Sequence, residues 1–150
     1  MTLRFREATR DDVAAIVALL ADDALGRMRE GDDIAPYLTA FDDMQRDGGN
    51  IIIVGCDAQD RVVATYQLTF ISGLSLAATK RAQVESVRVA AHLRGQGVGH
   101  LMFADVEERA RKAGCGLIQL TMNASRKDSH RFYESLGFTA SHIGFKRYLD

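Results

Sequence analysis

The run Arg94-Gly95-Gln96-Gly97-Val98-Gly99 places three glycines and an arginine directly ahead of a stretch with helical periodicity. Glycine lacks the Cβ that keeps a ligand away from the backbone, and the first turn of a helix leaves several N–H groups without intrahelical partners. A diphosphate satisfies those donors and the helix dipole together. The spacing therefore describes an anion site in which Gly95, Gln96, Gly97, Val98, Gly99 and His100 supply main chain, while Arg94 can add a charge-assisted hydrogen bond. Two nucleotide motifs are excluded. A dinucleotide fingerprint counted from Gly95 meets His100 where its third glycine belongs, and a Walker loop lacks its lysine. A tight turn with capping glycines and a solvated arginine is the other reading of the same residues.

Two further residues have types suited to proton transfer. Glu85 precedes Val87 by two in a stretch that reads as a strand, so simple alternation puts it on the face of Val87 and Val89, where an acid on an apolar face suits a general base. An ordinary ion pair with Lys80, Arg81 or Arg88 is its alternative. Tyr133 lies in a helix whose Phe132 and Leu136, spaced i, i+4, are expected to face a core. A phenol titrating near ~10 stays protonated at neutral pH and can donate to a leaving group; packing with the hydroxyl at the surface competes with that role. His92 and His130 read as an exposed loop residue and a solvated helix residue, with no partners spaced for a triad or a metal.

The elements that must position these groups follow from periodicity. Leu3 and Phe5 alternate with charges as a short strand, and Thr9-Arg10-Asp11-Asp12 resembles a capping box ahead of a helix to about Asp22. Gly26 and Gly31 interrupt the pattern before a second helix that starts at Pro36. Strands are predicted over 51–54, 61–71 and 82–89, with a small-residue loop over 72–79. A helix then runs from the glycine corner to about Ala113, a strand covers 117–122, a short helix 128–136 and a last strand 143–149. A hairpin-rich first half followed by one strand-helix-strand crossover fits an α/β or α+β fold in one domain spanning 1–150.

With 19 Lys+Arg against 20 Asp+Glu, the chain has no field that would favour nucleic acid or an anionic membrane. Cys56 and Cys115 have neither metal-ligand nor CxxC spacing and read as buried thiols of a reducing cytoplasm. No apolar run approaches the ~20 residues of a membrane span, and the first residues have no signal-peptide core.

Taken together, residues 87–99 resemble the central motif of the GCN5-related N-acetyltransferases, a strand followed by Arg/Gln-x-x-Gly-x-Gly/Ala, and Arg131-Phe132-Tyr133-Glu134-Ser135-Leu136-Gly137-Phe138 resembles their second motif. The resemblance implies a mixed, mostly antiparallel sheet with splayed central strands flanked by helices, and acetyl-CoA as cosubstrate. It further implies that pantetheine pairs with main chain around Val87, Arg88 and Val89, that Glu85 acts as base and that Tyr133 protonates the leaving thiolate. An amine acceptor, a small molecule or a protein, would attack in a ternary complex; a non-catalytic acyl-CoA-binding module is the alternative. The family often has an asparagine seven residues before the tyrosine; Arg126 stands there, and Asn123 either replaces it as a coenzyme contact or only caps a turn. The acceptor is expected between residues 24–37 and 72–81. Asp22, Asp23, Glu30, Asp32 and Asp33 either attract a cationic amine or simply solvate helix ends, and the strand over 143–149 offers an edge for a homodimer.

Overall fold

A computed structural model describes residues 2–150, and all of their side chains except that of Ala24. The contacts fall into two units, Met1–Gln119 and Leu120–Asp150. The first holds β1 (Arg4–Glu7), a 3-10 turn (Arg10–Asp12), α1 (Val13–Ala21), α2 (Ala24–Arg29), α3 (Ala35–Asp47), β2 (Asn50–Cys56), β3 (Val62–Ile71), α4 (Ser75–Ala78), β4 (Arg81–Val89), α5 (Val98–Lys112) and most of β5 (Leu117–Leu120). The second holds α6 (Lys127–Ser135).

The fold is mixed α/β, with a five-stranded sheet in the order β1-β2-β3-β4-β5 flanked by helices. The first four strands pair antiparallel in sequence order, and the β4–α5–β5 crossover brings in the last. Cross-strand partners share a face, so the register sorts the side chains. Ile53 opposite Tyr66 and Leu68 opposite Val84 lie on one face, where the Tyr66 hydroxyl donates to Asp105 of α5 at 2.6 Å. Ile52 and Val54 lie on the other, in a cluster with Val13 and Ile16 of α1 and Phe41 of α3. Tyr66, Ile53, Leu68 and Val54 are almost fully buried. Each such side chain contributes roughly 1.5–3 kcal/mol of transfer free energy, which makes β3, covered on both faces, the centre of the core.

The capping box is present with aspartate in the glutamate position. The Thr9 amide donates to Asp12 Oδ2 at 2.7 Å, and Arg6 holds both oxygens of that carboxylate, keeping it below the usual aspartate range. Gly26 does not interrupt a helix; it lies inside α2. A Cβ there would sit 1.9 Å from the Leu20 carbonyl oxygen, so the residue is glycine because two helices meet backbone to backbone.

Three expectations need correction. The stretch 72–79 is not a plain loop: Leu76, Ala77 and Ala78 all have positive φ, a left-handed turn that costs non-glycine residues about 1–2 kcal/mol each. The strand expected over 117–122 ends at Leu120. The strand expected over 143–149 does not form, and Ile143, Phe145, Tyr148 and Leu149 stand 80–94% exposed. Four large apolar residues within seven supply a strand's composition, but without a partner the ladder has nothing to bond.

Candidate functional site

The glycine corner forms where it was expected. Gly95 and Gly97 have φ of 77° and 83°, the left-handed conformation that reverses the chain between the end of β4 and the start of α5. A Cβ at either would meet nothing within 4 Å, so conformation and not crowding requires glycine. Gly97 is the N-cap of α5, and no side chain caps it. Val98 is buried and begins the core stripe Val98, Met102, Val106 and Ala110, whereas Gln96, Gly97 and His100 are exposed. A packed helix thus presents its uncapped first-turn amides outward, a geometry that fits the diphosphate of a coenzyme.

Arg94 is engaged at the corner's entrance. Its Nε donates to the Val89 carbonyl at 3.2 Å and its Nη2 to the Asp22 carbonyl at 3.0 Å, with the Asp22 carboxylate 3.8 Å away. Arg88 makes a parallel tie: its Nη1 donates to the Val87 carbonyl at 2.9 Å, and its Nε lies 3.3 Å from the carboxylate of Asp23, which also caps α2 by accepting from the Gly26 amide. Two arginines bordering the site therefore fasten the α1–α2 junction to the end of β4. The carbonyls of Val87 and Val89, expected to be open to pantetheine, each accept from one of these arginines and keep a second lone pair.

Glu85 does not share a face with Val89. Glu85 pairs with Gln67 and Arg88 with Thr65, but Val89 pairs with Ala64, on the side of Tyr66 and Val84. The cause is a bulge. Ser86 has φ 55°, and the register shifts so that Ser86 and Val87 stand against Tyr66 alone, which reverses the parity of the strand. Glu85 is exposed and lies on the face that carries α1, where its same-face neighbours along β4 are the polar Gln83 and Arg88. The same bulge leaves Ser86 and Val87 outside the β3 register.

β5 accompanies only the beginning of β4. The Gly116 amide donates to the Lys80 carbonyl at 2.8 Å and Gln119 bonds Gln83 at 2.6 Å, yet β5 has four residues against nine in β4. The main chain of β4 beyond Glu85 continues past it, as splayed central strands require.

In the second unit, Tyr133 is half-buried with Phe132 and Phe138 set edge-on at 5.2 and 5.9 Å between ring centroids. Phe132 and Leu136 are half-buried, so α6 has no fully buried residue. Asn123 Oδ1 accepts from the Ser125 amide at 3.0 Å and from its hydroxyl at 2.6 Å, the turn-capping role. His92 is exposed, and His130 is exposed beside Glu134 at 2.8 Å.

Of the five acids considered for a cationic acceptor, Asp22 and Asp23 face Arg94 and Arg88, Glu30 accepts from the Tyr37 hydroxyl at 2.9 Å, and Asp33 accepts from the Ala35 amide at 3.0 Å. Four therefore serve helix ends and ties. The pairings of Arg88 and Arg94 were not legible: their partners lie 65 and 72 residues away, and no local pattern links them. Among the described residues no three His, Cys, Asp or Glu gather as metal ligands, Cys56 and Cys115 are free, and no helix is long and apolar enough to cross a membrane.

Comparison with known proteins gives these features a context. The model of the acetyltransferase (GNAT) family matches residues 14–138. The crystal structure of a transcriptional regulator from Bacillus halodurans C-125 is 41% identical, covers 99% of this chain and 100% of its own, and superposes with a TM-score of 0.93. A Trypanosoma brucei acetyltransferase is 25% identical over 99% of this chain and 100% of its own, with a TM-score of 0.81. An aminoalkylphosphonate N-acetyltransferase of Salmonella typhimurium is 39% identical over 67 residues, 45% of this chain and 44% of that protein. The chain thus spans less than half the length of the curated relatives it matches.

Proposed function

Because the chain belongs to the acetyltransferase (GNAT) family, we propose that it transfers an acetyl group from acetyl-CoA to a primary amine by direct attack in a ternary complex. The observation that carries this reading is the left-handed corner at Gly95 and Gly97, which turns the uncapped amides of α5 outward beside the half of β4 that extends beyond β5. In this reading the first-turn amides of Val98, Gly99 and His100 receive the diphosphate, with Gln96 main chain beside them, and the β4 backbone from Val87 to Val89 receives the pantetheine. A main-chain N–H at the bulge, freed from the β3 ladder, polarises the thioester carbonyl.

The amine nitrogen bonds the carbonyl carbon and the carbon–sulfur bond breaks. One amine proton passes to Glu85 through water, since Glu85 is exposed on the α1 side, and Tyr133 protonates the departing thiolate. Arg94 braces the corner through Asp22. The name of the Salmonella relative supports a small amine as acceptor, and the two free thiols suit a reducing cytoplasm.

A second reading, a regulatory acyl-CoA-binding module without catalysis, is favoured by the polar setting of Glu85 and by the name of the Bacillus halodurans relative. Thiol release from acetyl-CoA over a panel of amines, run alongside thermal shift, separates the two. Catalysis predicts release with at least one amine, lowered by about 10²-fold or more in Tyr133→Phe while the coenzyme-dependent Tm shift persists. Gly97→Glu, which adds a side chain at positive φ and a negative charge at the diphosphate, is expected to abolish that shift. A Tm shift with no release across the panel identifies the module, and no shift at millimolar acetyl-CoA eliminates both readings.

A further inference from the structure

We propose that the α1 side of β3, β4 and β5 selects a zwitterionic acceptor, a small amine that also bears a carboxylate or phosphate, with Arg81 holding the anion and Glu85 the amine end. This rests on the acetyltransferase reading above. Along β4, Arg81, Gln83 and Glu85 alternate onto one face, and their partners on β3 are Ile71, Thr69 and Gln67. β5 adds Gln119, whose Nε2 donates to Gln83 Oε1 at 2.6 Å. A sheet face packed on a core is apolar, and the opposite side of these strands obeys that rule, with Leu68 against Val84 and Phe70 against Ala82. On the α1 side Ile71 is the exception among polar residues, and all of these except Glu85 are half-buried. Polar groups drawn out of water need partners. Apart from the Gln119–Gln83 bond, the side chains of Gln67, Thr69, Arg81, Gln83, Glu85 and Gln119 make no hydrogen bond or ion pair among the described residues.

The charges on this floor select the occupant. Glu85 and Arg81 stand about 13 Å apart along the strand and do not pair, and the groups between them are neutral amides and a hydroxyl. An acceptor whose amine lies at Glu85 therefore meets the amides with its body and Arg81 with its far end. A carboxylate or phosphate at that end gains charge-assisted hydrogen bonds from the guanidinium. A second ammonium would be repelled. An alkyl end would leave the guanidinium and the amides without partners, which is how a hydrogen-bonding site rejects an analogue lacking the group. The neighbouring cations are committed elsewhere. Lys80 alternates to the other face, where its Nζ donates to the Ala113 carbonyl at 2.9 Å and lies 5.6 Å from the Phe70 ring centre. Arg88 shares the face of Glu85, but its Nε lies 3.3 Å from the Asp23 carboxylate. Arg81 is the cation that this face leaves for an anion.

The test measures thiol release from acetyl-CoA by the full chain with length-matched acceptors: aminoalkyl carboxylates and phosphates, α,ω-diamines and plain alkylamines. The expected kcat/KM for the best anionic amine is roughly a hundred-fold above the diamine and the alkylamine of its length. Arg81→Glu should invert the order of anionic amine and diamine, whereas Arg81→Lys, which keeps the charge and loses the fork, should keep the order with a narrower gap. For the anionic amine the loss in Arg81→Glu should fall on KM, with kcat changed by no more than about threefold, because Arg81 stays clear of the reacting atoms. A coenzyme-dependent Tm shift retained in each variant shows that it folds, and the acceptor ranking of the unaltered chain decides without any variant. Equal use of anionic amine and diamine, or a preference that survives Arg81→Glu, would overturn the proposal and leave the acetyltransferase reading standing. No release with any acceptor, while the Tm shift persists, would overturn both.

Discussion

Tyr66 is the buried polar group on which the core face of β3 depends. Its hydroxyl donates to Asp105, whose carboxylate also receives Arg109 Nε at 2.8 Å, and Arg109 reaches the Phe5 carbonyl at 3.3 Å, so one chain of bonds joins β3, α5 and β1. Burial, reinforced by Asp105, holds the phenol well above its ordinary value. An acid whose folded pKa is raised confers stability that is present below the unfolded value, near ~10, and is lost as pH rises through the folded one. Tyr66→Phe should therefore cost about 1–2 kcal/mol near neutrality, and the gap between the two proteins should close as pH rises above 10. Urea denaturation of both at pH 7 and pH 10.5 measures this; an unchanging gap would show that the hydroxyl does not couple to the fold. Glu85 teaches the opposite lesson about single residues. Its type and position were legible, but its face was not, because nothing in Glu-Ser-Val-Arg announces a bulge and no glycine marks the left-handed Ser86.

At the level of elements, α5 was the most legible part of the chain, since its core stripe, its glycine entrance and its C-terminal Gly114 with φ 80° all point to one helix. α2 was the least, because its six residues depend on contacts distant in sequence: the Asp23 cap, the Arg88 tie and the backbone approach at Gly26. A helix this short is not stable by propensity alone. Replacing Arg88 with methionine keeps the apolar stem and removes the charge facing Asp23, so α2 should open more often. Limited proteolysis within residues 22–30 is expected to accelerate about tenfold, and an unchanged cleavage rate would show that the cap and the Gly26 contact suffice. The terminal strand was misread for a related reason. Residues 143–149 have the composition of a strand, and pairing is a property of two segments.

For the molecule as a whole, acid stability is set by carboxylates that the fold has recruited. Hydrogen bonds from Arg6 hold Asp12 below its ordinary range, and the Arg61 amide does the same for Asp57 in the β2–β3 turn. A depressed folded pKa gives stability that is present above the unfolded value, near ~3.9, and is lost as pH falls through the folded one. Stability should thus decline as pH falls below about 4, and Asp12→Asn, though less stable at pH 7, should decline less steeply; denaturation midpoints from pH 7 to pH 2.5 test the slope. The bulge at Ser86 has a different kind of consequence, one for heredity. It is a single codon that sets the phase of a strand, so losing it would exchange the two sides for everything on one flank of the gap. Replacing it, particularly with glycine or asparagine, would leave every neighbour facing as before. At this position evolution can vary the letter among residues that tolerate a left-handed backbone but cannot drop it.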